Sequence, residues 1–203
     1  DEIKPGDLPV MRTEFSAGCG EYRFFNMFST RCRKESEGKK MSVEYCAYPF
    51  LKEESNLCDY EIATDRLASM LSVARHHIRH IPQEDLLQLM EMIYHANGSI
   101  RGNCAIRDIE LQKLNILYAR YSMHMDHFVL PDGCIGASYL HVLRAETKAV
   151  IRIMHRIQQE GKTVEAVLFD FMNLLSNTFF MLCLYENKHD GFLEREFISR
   201  SYV

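Results

Sequence analysis

The sequence predicts a mainly α protein: a five-helix antiparallel bundle over residues 56–187, preceded by a small strand-containing region and followed by a tail over 188–203. Three observations carry this. From about Asn56 onward, apolar residues recur at spacings of three and four, the period of one helix face. The breaks between periodic runs are mostly short and hold helix stop and start residues, which favours antiparallel neighbours. Before residue 56 the pattern turns to alternation, and residues 1–55 hold three of the five prolines.

In order along the chain, Glu21 to Phe28 and Met41 to Tyr48 alternate apolar and polar residues around the charged stretch Arg33 to Lys40. This predicts a β-hairpin, or two short strands joined by a loop. A first helix starts at Asn56 or Asp59 and runs to Arg79, with Leu67, Leu71, Ala74 and Ile78 on one face. Pro82 at a first helical position, followed by Glu84 and Asp85, opens a second helix that stops at Asn97-Gly98. A third spans about 106–125, with Leu111, Leu114, Tyr118 and Tyr121 inward. The fourth covers about 136–160 and ends at Gly161. The fifth, about 164–186, is apolar nearly all round, which places it mid-bundle or in a subunit interface.

A net charge of −4 argues against nucleic acid as the main partner, so any anion site is built from a few placed cations. Seven cysteines at irregular spacing, with no CxxC pair, read as reduced thiols rather than a disulfide framework or zinc ribbon. No uninterrupted apolar run reaches the ~18 residues of a bilayer span, and the chain opens Asp-Glu-Ile-Lys-Pro-Gly rather than with a signal-peptide pattern. The expectation is a cytoplasmic protein with no membrane partner.

The most informative stretch is Phe128-Val-Leu-Pro-Asp-Gly133 with the helix after it, which carries His141, Arg144, Lys148, Arg152 and His155 on one face. Arginine gives planar bidentate contacts to phosphate and lysine a point charge, so the stripe suits a polyphosphate beside an apolar ligand. Periodicity alone favours a solvated helix face. Asn173, Ser176 and Asn177 interrupt the oily fifth helix, so they either stitch the bundle together or reach a ligand. His76 and His80 stand at metal-ligand spacing but are two ligands only, which predicts no metal site. His124 and His127 flank the Phe128 turn, as ligand contacts or as helix-end residues. No nucleophile triad, Walker loop or dinucleotide fingerprint is present, and Ser16-Ala-Gly-Cys-Gly20 is only a small Gly-bearing turn.

These residues resemble a family. Phe128-Val-Leu-Pro-Asp-Gly followed by Leu140-His-Val-Leu-Arg144 is similar to the Phe-[Ile/Val]-Leu-Pro-Gly-Gly and Leu-His-x-Ala-Arg pattern of ATP:cob(I)alamin adenosyltransferases of the propanediol-utilisation type. Asn173-Leu-Leu-Ser-Asn177 resembles Asn-Arg-Leu-Ser-Asp on that family's last helix, and Asp65-Arg-Leu-Ala resembles Asp-Glu-Leu-Asn on its first. The resemblance covers residues 57–186. It implies a five-helix bundle assembling as a homotrimer, with sites between subunits that transfer the 5′-deoxyadenosyl group of ATP to reduced corrinoid cobalt. It implies cobalamin, ATP and Mg²⁺ as ligands, and a reductase or a cobalamin-dependent enzyme as a further partner. Phe128 would press on the lower face of the corrin, Asp65 and Arg144 would pair across the interface, and Lys148, Arg152, Asn173 and Asn177 would lie toward the nucleotide.

The departures are specific. Where the family continues Arg-x-x-x-Arg-Arg-x-Glu-Arg, this chain has Arg144, then Lys148, Ala149, Ile151 and Arg152. Asp132 replaces a glycine of the turn, Asn177 stands for an aspartate, and the family's Thr-Lys-x-Gly-Asp-x-Gly loop has only a faint echo in Thr13 to Gly20. The ethanolamine-utilisation type is similarly degenerate on the basic helix, but its Cys-Cys-x-x-Cys motif is missing. The alternative to a divergent enzyme is a non-catalytic corrinoid-binding carrier, sensor or accessory protein on the same fold.

Overall fold

The computed structural model describes residues 45–201. The chain divides into two compact units, Asp1–Lys52 and Glu53–Val203. Of the first, residues 45–52 form turns, with the Leu51 N–H donating to the Tyr48 carbonyl at 3.3 Å. The expected strand at 21–28, and the start of the one at 41–48, lie outside the described residues. The described remainder of the second, 45–48, is irregular rather than strand.

The second unit is five helices: α1 (Asn56–Arg75), α2 (Gln83–Ser99), α3 (Asp108–Tyr121), α4 (Ile135–Gln159) and α5 (Ala166–His189). α4 packs on α1 and on α5; α5 also carries α3, and α2 leans on α1 while barely touching α3. Their inward stripes meet in one core holding Tyr60, Leu67, Leu71, Leu114, Leu140, Leu143, Phe171, Leu175 and Phe179. Truncating one of these fully buried side chains to alanine costs about 2–5 kcal/mol. α5 is long and apolar enough to cross a membrane by length and composition alone. Here that apolarity is spent on the core, since Leu168, Phe171, Met172, Leu175, Phe179 and Leu182 are all buried.

Helix ends differ from the periodicity, and each difference has a tertiary cause. α1 stops at Arg75 instead of 79, because fully buried Glu186 accepts the N–H groups of Arg79 at 2.6 Å and His80 at 3.1 Å. Those amides are thereby taken out of the helix ladder, while Ile78 still reaches the core. Pro82 is the residue before α2 rather than its first turn, and α2 runs on to Ser99. Asn97 does not end it: its amide crosses to the Glu61 carbonyl and the Thr64 hydroxyl, both at 2.7 Å. α3 ends at Tyr121, not 125, because Ser122 turns extended. Tyr121 and Arg120 both donate to the buried carboxylate of Asp85, tying the end of α3 to the start of α2. α5 continues to His189 and reverses at Gly191, whose φ of +78° favours glycine.

Among the described residues there is no strand, and one isolated antiparallel bridge joins Val129 to Glu196.

Candidate functional site

The premature end of α3 leaves residues 122–134 to cross irregularly to α4, and this crossing builds a cavity of about 610 Å³. Phe128 and Val129 line it from the crossing, Tyr118 from α3, Arg144 from α4, and Phe180 and Met181 from α5. Phe128 is 80% exposed, a large cost in apolar surface for a side chain that no neighbour covers.

The crossing is held from below. Asn187, fully buried near the end of α5, accepts the Cys134 N–H at 3.0 Å and donates to the Asp132 carbonyl at 3.0 Å and to Glu194 Oε1 at 2.8 Å. A Cβ on Gly133 would collide with that amide, and its φ of +148° is one L side chains rarely adopt. Gly136 opens α4 against the chain after α1, where a Cβ would come within 2.9 Å of the His77 carbonyl. The tail holds the crossing from the side: Leu130 N–H donates to the Arg195 carbonyl at 2.9 Å and Phe197 N–H to the Phe128 carbonyl at 2.7 Å.

Arg144 is half-buried at the cavity wall. Its guanidinium carbon lies 5.4 Å from the centre of the Phe180 ring, and its Nε is buried with no hydrogen-bond partner. One turn earlier, His141 is 5% exposed and neither ring nitrogen has a partner. Burial, helped by the Arg144 charge and opposed by Asp132, pushes its pKa down to about 4, so the ring is neutral near pH 7. The expected stripe is therefore graded: His141 is packed away, Arg144 half-covered, and Lys148, Arg152 and His155 exposed.

α4 and α5 run antiparallel along this stripe. Phe180 lies against Arg144 at one end and Phe169 against His155, with ring centres 4.8 Å apart, at the other. That register puts Asn177 and Asn173 level with Lys148 and Arg152 along the helix axes, all four exposed, and Asn173 also lines a separate cavity toward α3 with Leu111, Gln112 and Asn115. Of the three polar residues on α5, Ser176 stitches the helices, donating to the Arg144 carbonyl at 3.1 Å. Asn173 and Asn177 are exposed, and the Asn173 amide donates to the Phe169 carbonyl at 2.9 Å. Asp65 is not part of this grouping: it sits exposed on α1, where its carboxylate accepts the Tyr94 O–H at 2.6 Å.

His124 and His127 do line the cavity beside Phe128. His80 instead lies 3.6 Å from Asp190, and among the described residues no three His, Cys, Asp or Glu side chains gather to hold a metal. The sequence reading missed Phe180, Tyr118, Asn187 and the tail. Phe180 was findable, being seven residues beyond Asn173 and three beyond Asn177 on the same helix face. Asn187 and the tail had no local signal.

The arrangement is a helical bundle with an aromatic-rimmed cavity and exposed cations on the helix that leads away from it. The sequence pattern described as cobalamin adenosyltransferase matches residues 54–186, and the chain belongs to that family. No curated protein sequence matches it. Among solved structures, a phenylalanine-to-alanine variant of the PduO-type ATP:corrinoid adenosyltransferase from Lactobacillus reuteri, complexed with cobalamin and ATP, is similar at 18% identity and TM-score 0.61, over 72% of this chain and 88% of that one. A phenylalanine-to-histidine variant with the same ligands matches at 18% identity and TM-score 0.62, over 73% and 86%. An arginine-to-lysine variant complexed with ATP matches at 18% identity and TM-score 0.61, over 72% and 89%. At that identity the likeness shows the fold.

Proposed function

We propose that this protein is a corrinoid adenosyltransferase, moving the 5′-deoxyadenosyl group of ATP to reduced cobalamin and releasing triphosphate. The observation that carries it is one cavity shared by an exposed Phe128 and a buried, unpaired Arg144 Nε, with Lys148 and Arg152 exposed on the helix leading away from it. Family membership and neighbours solved with cobalamin and ATP support the reading. So does spacing: the arginine replaced in the third neighbour lies as far beyond the phenylalanine replaced in the first two as Lys148 lies beyond Phe128.

In this reading Co(I) attacks the 5′ carbon of ATP, forming the cobalt–carbon bond as the carbon–oxygen bond to triphosphate breaks. Phe128 supplies an apolar surface that excludes a lower axial ligand from the corrin and eases reduction to Co(I), with the electron coming from a reductase. Lys148 and Arg152, with Asn173 and Asn177 level with them on α5, hold the triphosphate and stabilise its charge as it leaves. Mg²⁺ enters with the phosphates, which are its usual ligands.

The cavity is smaller than a corrinoid, so the rest of the ligand is covered by a neighbouring subunit of a homotrimer. The outer face of α1 and α4 suits that role: Ile62, Val73, Ile135 and Val142 are exposed on it, with Arg66 and Glu146 paired across it at 2.7 Å. Asp65, exposed on α1 beside Tyr94 of α2, is assigned the role of reaching Arg144 of another subunit.

The alternative, a carrier or sensor that binds corrinoid without transfer, is favoured by Ile151 in place of a glutamate and Lys148 in place of an arginine. An anaerobic incubation with reduced cobalamin, ATP and Mg²⁺, read for adenosylcobalamin by mass spectrometry, separates the two. Product establishes the enzyme; corrinoid binding without product leaves the carrier.

A further inference from the structure

We infer that Phe197, on the C-terminal tail, is a second aromatic contact for the corrinoid, placed beside Phe128 by the pairing of the tail with the 128–130 segment. The inference rests on the corrinoid-binding reading above and extends it to a segment beyond the family match, which ends at residue 186.

The argument is one of strand register. Leu130 donates to Arg195 and Phe197 donates to Phe128, and these two bonds flank the bridge between Val129 and Glu196. In an antiparallel ladder such bonds make Val129 and Glu196 a directly opposed, non-hydrogen-bonded pair on one face. Phe128 and Phe197 are then opposed on the other face, where cross-strand Cβ atoms lie about 4.5–5.5 Å apart. Two aromatic side chains thus project side by side from one short ribbon. Both leave ring surface open: Phe128 is 80% exposed and Phe197 47%.

The tail is not a loose end laid on the surface. Phe192 N–H donates to the Asn187 carbonyl at 2.8 Å, and the Asn187 amide that supports the Phe128 turn also donates to Glu194 at 2.8 Å. One buried asparagine therefore fixes both strands of the ribbon. Two adjacent phenyl rings on a braced ribbon form a platform for a broad apolar macrocycle, larger than one ring can offer. Because the tail comes from the far end of α5, the corrin contact is made by segments about seventy residues apart.

The test titrates the full-length protein with cob(II)alamin in the presence of ATP, followed by the visible spectrum, for wild type, Phe197→Ala, Phe197→Tyr and Glu196→Ala. Phe197→Ala is expected to bind about tenfold more weakly, and to convert less of the bound cobalt to the form lacking an axial ligand. Phe197→Tyr restores most of the affinity, and Glu196→Ala, on the opposite face, matches wild type. ATP binding by calorimetry and the urea midpoint stay unchanged in all four. Wild-type cob(II)alamin affinity and spectrum in Phe197→Ala would overturn the assignment while leaving the adenosyltransferase reading intact. Failure of the wild-type protein to bind any corrinoid would remove that reading, and this one with it.

Discussion

Asn187 and Cys134 are joined by a 3.0 Å hydrogen bond from the Cys134 amide to Asn187 Oδ1, and this bond anchors the start of α4 to the end of α5. The same side chain donates its two amide protons to Asp132 and Glu194, so both its donors and its carbonyl oxygen are engaged inside the protein. Asn187→Ala leaves the part-buried Asp132 carbonyl and Cys134 amide without that partner, at about 1–3 kcal/mol each. We expect a loss of about 2–4 kcal/mol in urea unfolding, together with weaker corrinoid binding, because the Phe128 turn and the tail lose their common support. A variant with an unchanged urea midpoint would show that the turn is held by other contacts.

Gly133→Ala strikes the same joint from the other side. The methyl group meets the Asn187 amide and the backbone holds a φ that alanine resists, so the turn must move. Stability should fall by about 2–3 kcal/mol, and the bound cob(II)alamin spectrum should shift. Wild-type behaviour in both would mean that the turn relaxes freely.

His141 makes stability depend on pH in a definite direction. Its ordinary value of 6.5 applies to the unfolded chain, and burial brings it to about 4 in the fold. Between those values the unfolded state takes up a proton that the folded state refuses, so stability is full above pH 6.5 and declines as the pH falls toward 4. The contribution is about 3 kcal/mol at most. Arg144 works in the same direction and Asp132 against it; Glu194, whose pKa burial raises, favours the fold at low pH and partly masks the slope. Urea midpoints measured across this range for wild type and His141→Phe isolate the effect. Equal slopes in the two proteins would show that His141 does not carry it.

Arg144→Ala should lower adenosyl transfer by about a hundredfold or more, the scale of losing one preorganised charge contact in a reaction of this kind. Its stability cost is small, about 1 kcal/mol, since the guanidinium contact with Phe180 is the main internal interaction lost. Turnover close to wild type would remove Arg144 from the reaction.

The grouping of Phe128 and Arg144 at one cavity was partly legible along the chain because these elements are local. Phe128 and Arg144 are sixteen residues apart across one turn and the start of one helix, so their separation is nearly fixed by the sequence itself. Lys148 and Arg152 follow at helical spacing, and the asparagines of α5 stood out because an oily helix rarely tolerates them. The stripe misled in one respect: His141 and Arg152 share a helix face yet differ completely in exposure, because Phe180 closes over His141 while Arg152 stays on the exposed stretch of the helix.

What the sequence by itself determined is the number and order of the helices and the lines of side chains each turns inward, since a 3.6-residue period is a short-range property. The tertiary structure decided where the helices end, as Glu186 does for α1 by binding two amides more than one hundred residues earlier in the chain. It also decided that Asp65 stands apart from Arg144 within one chain, and that a tail without helical periodicity lies beside Phe128. Those outcomes depend on which buried polar group finds which backbone donor once the helices have packed, and no local pattern encodes a partner so distant in the chain.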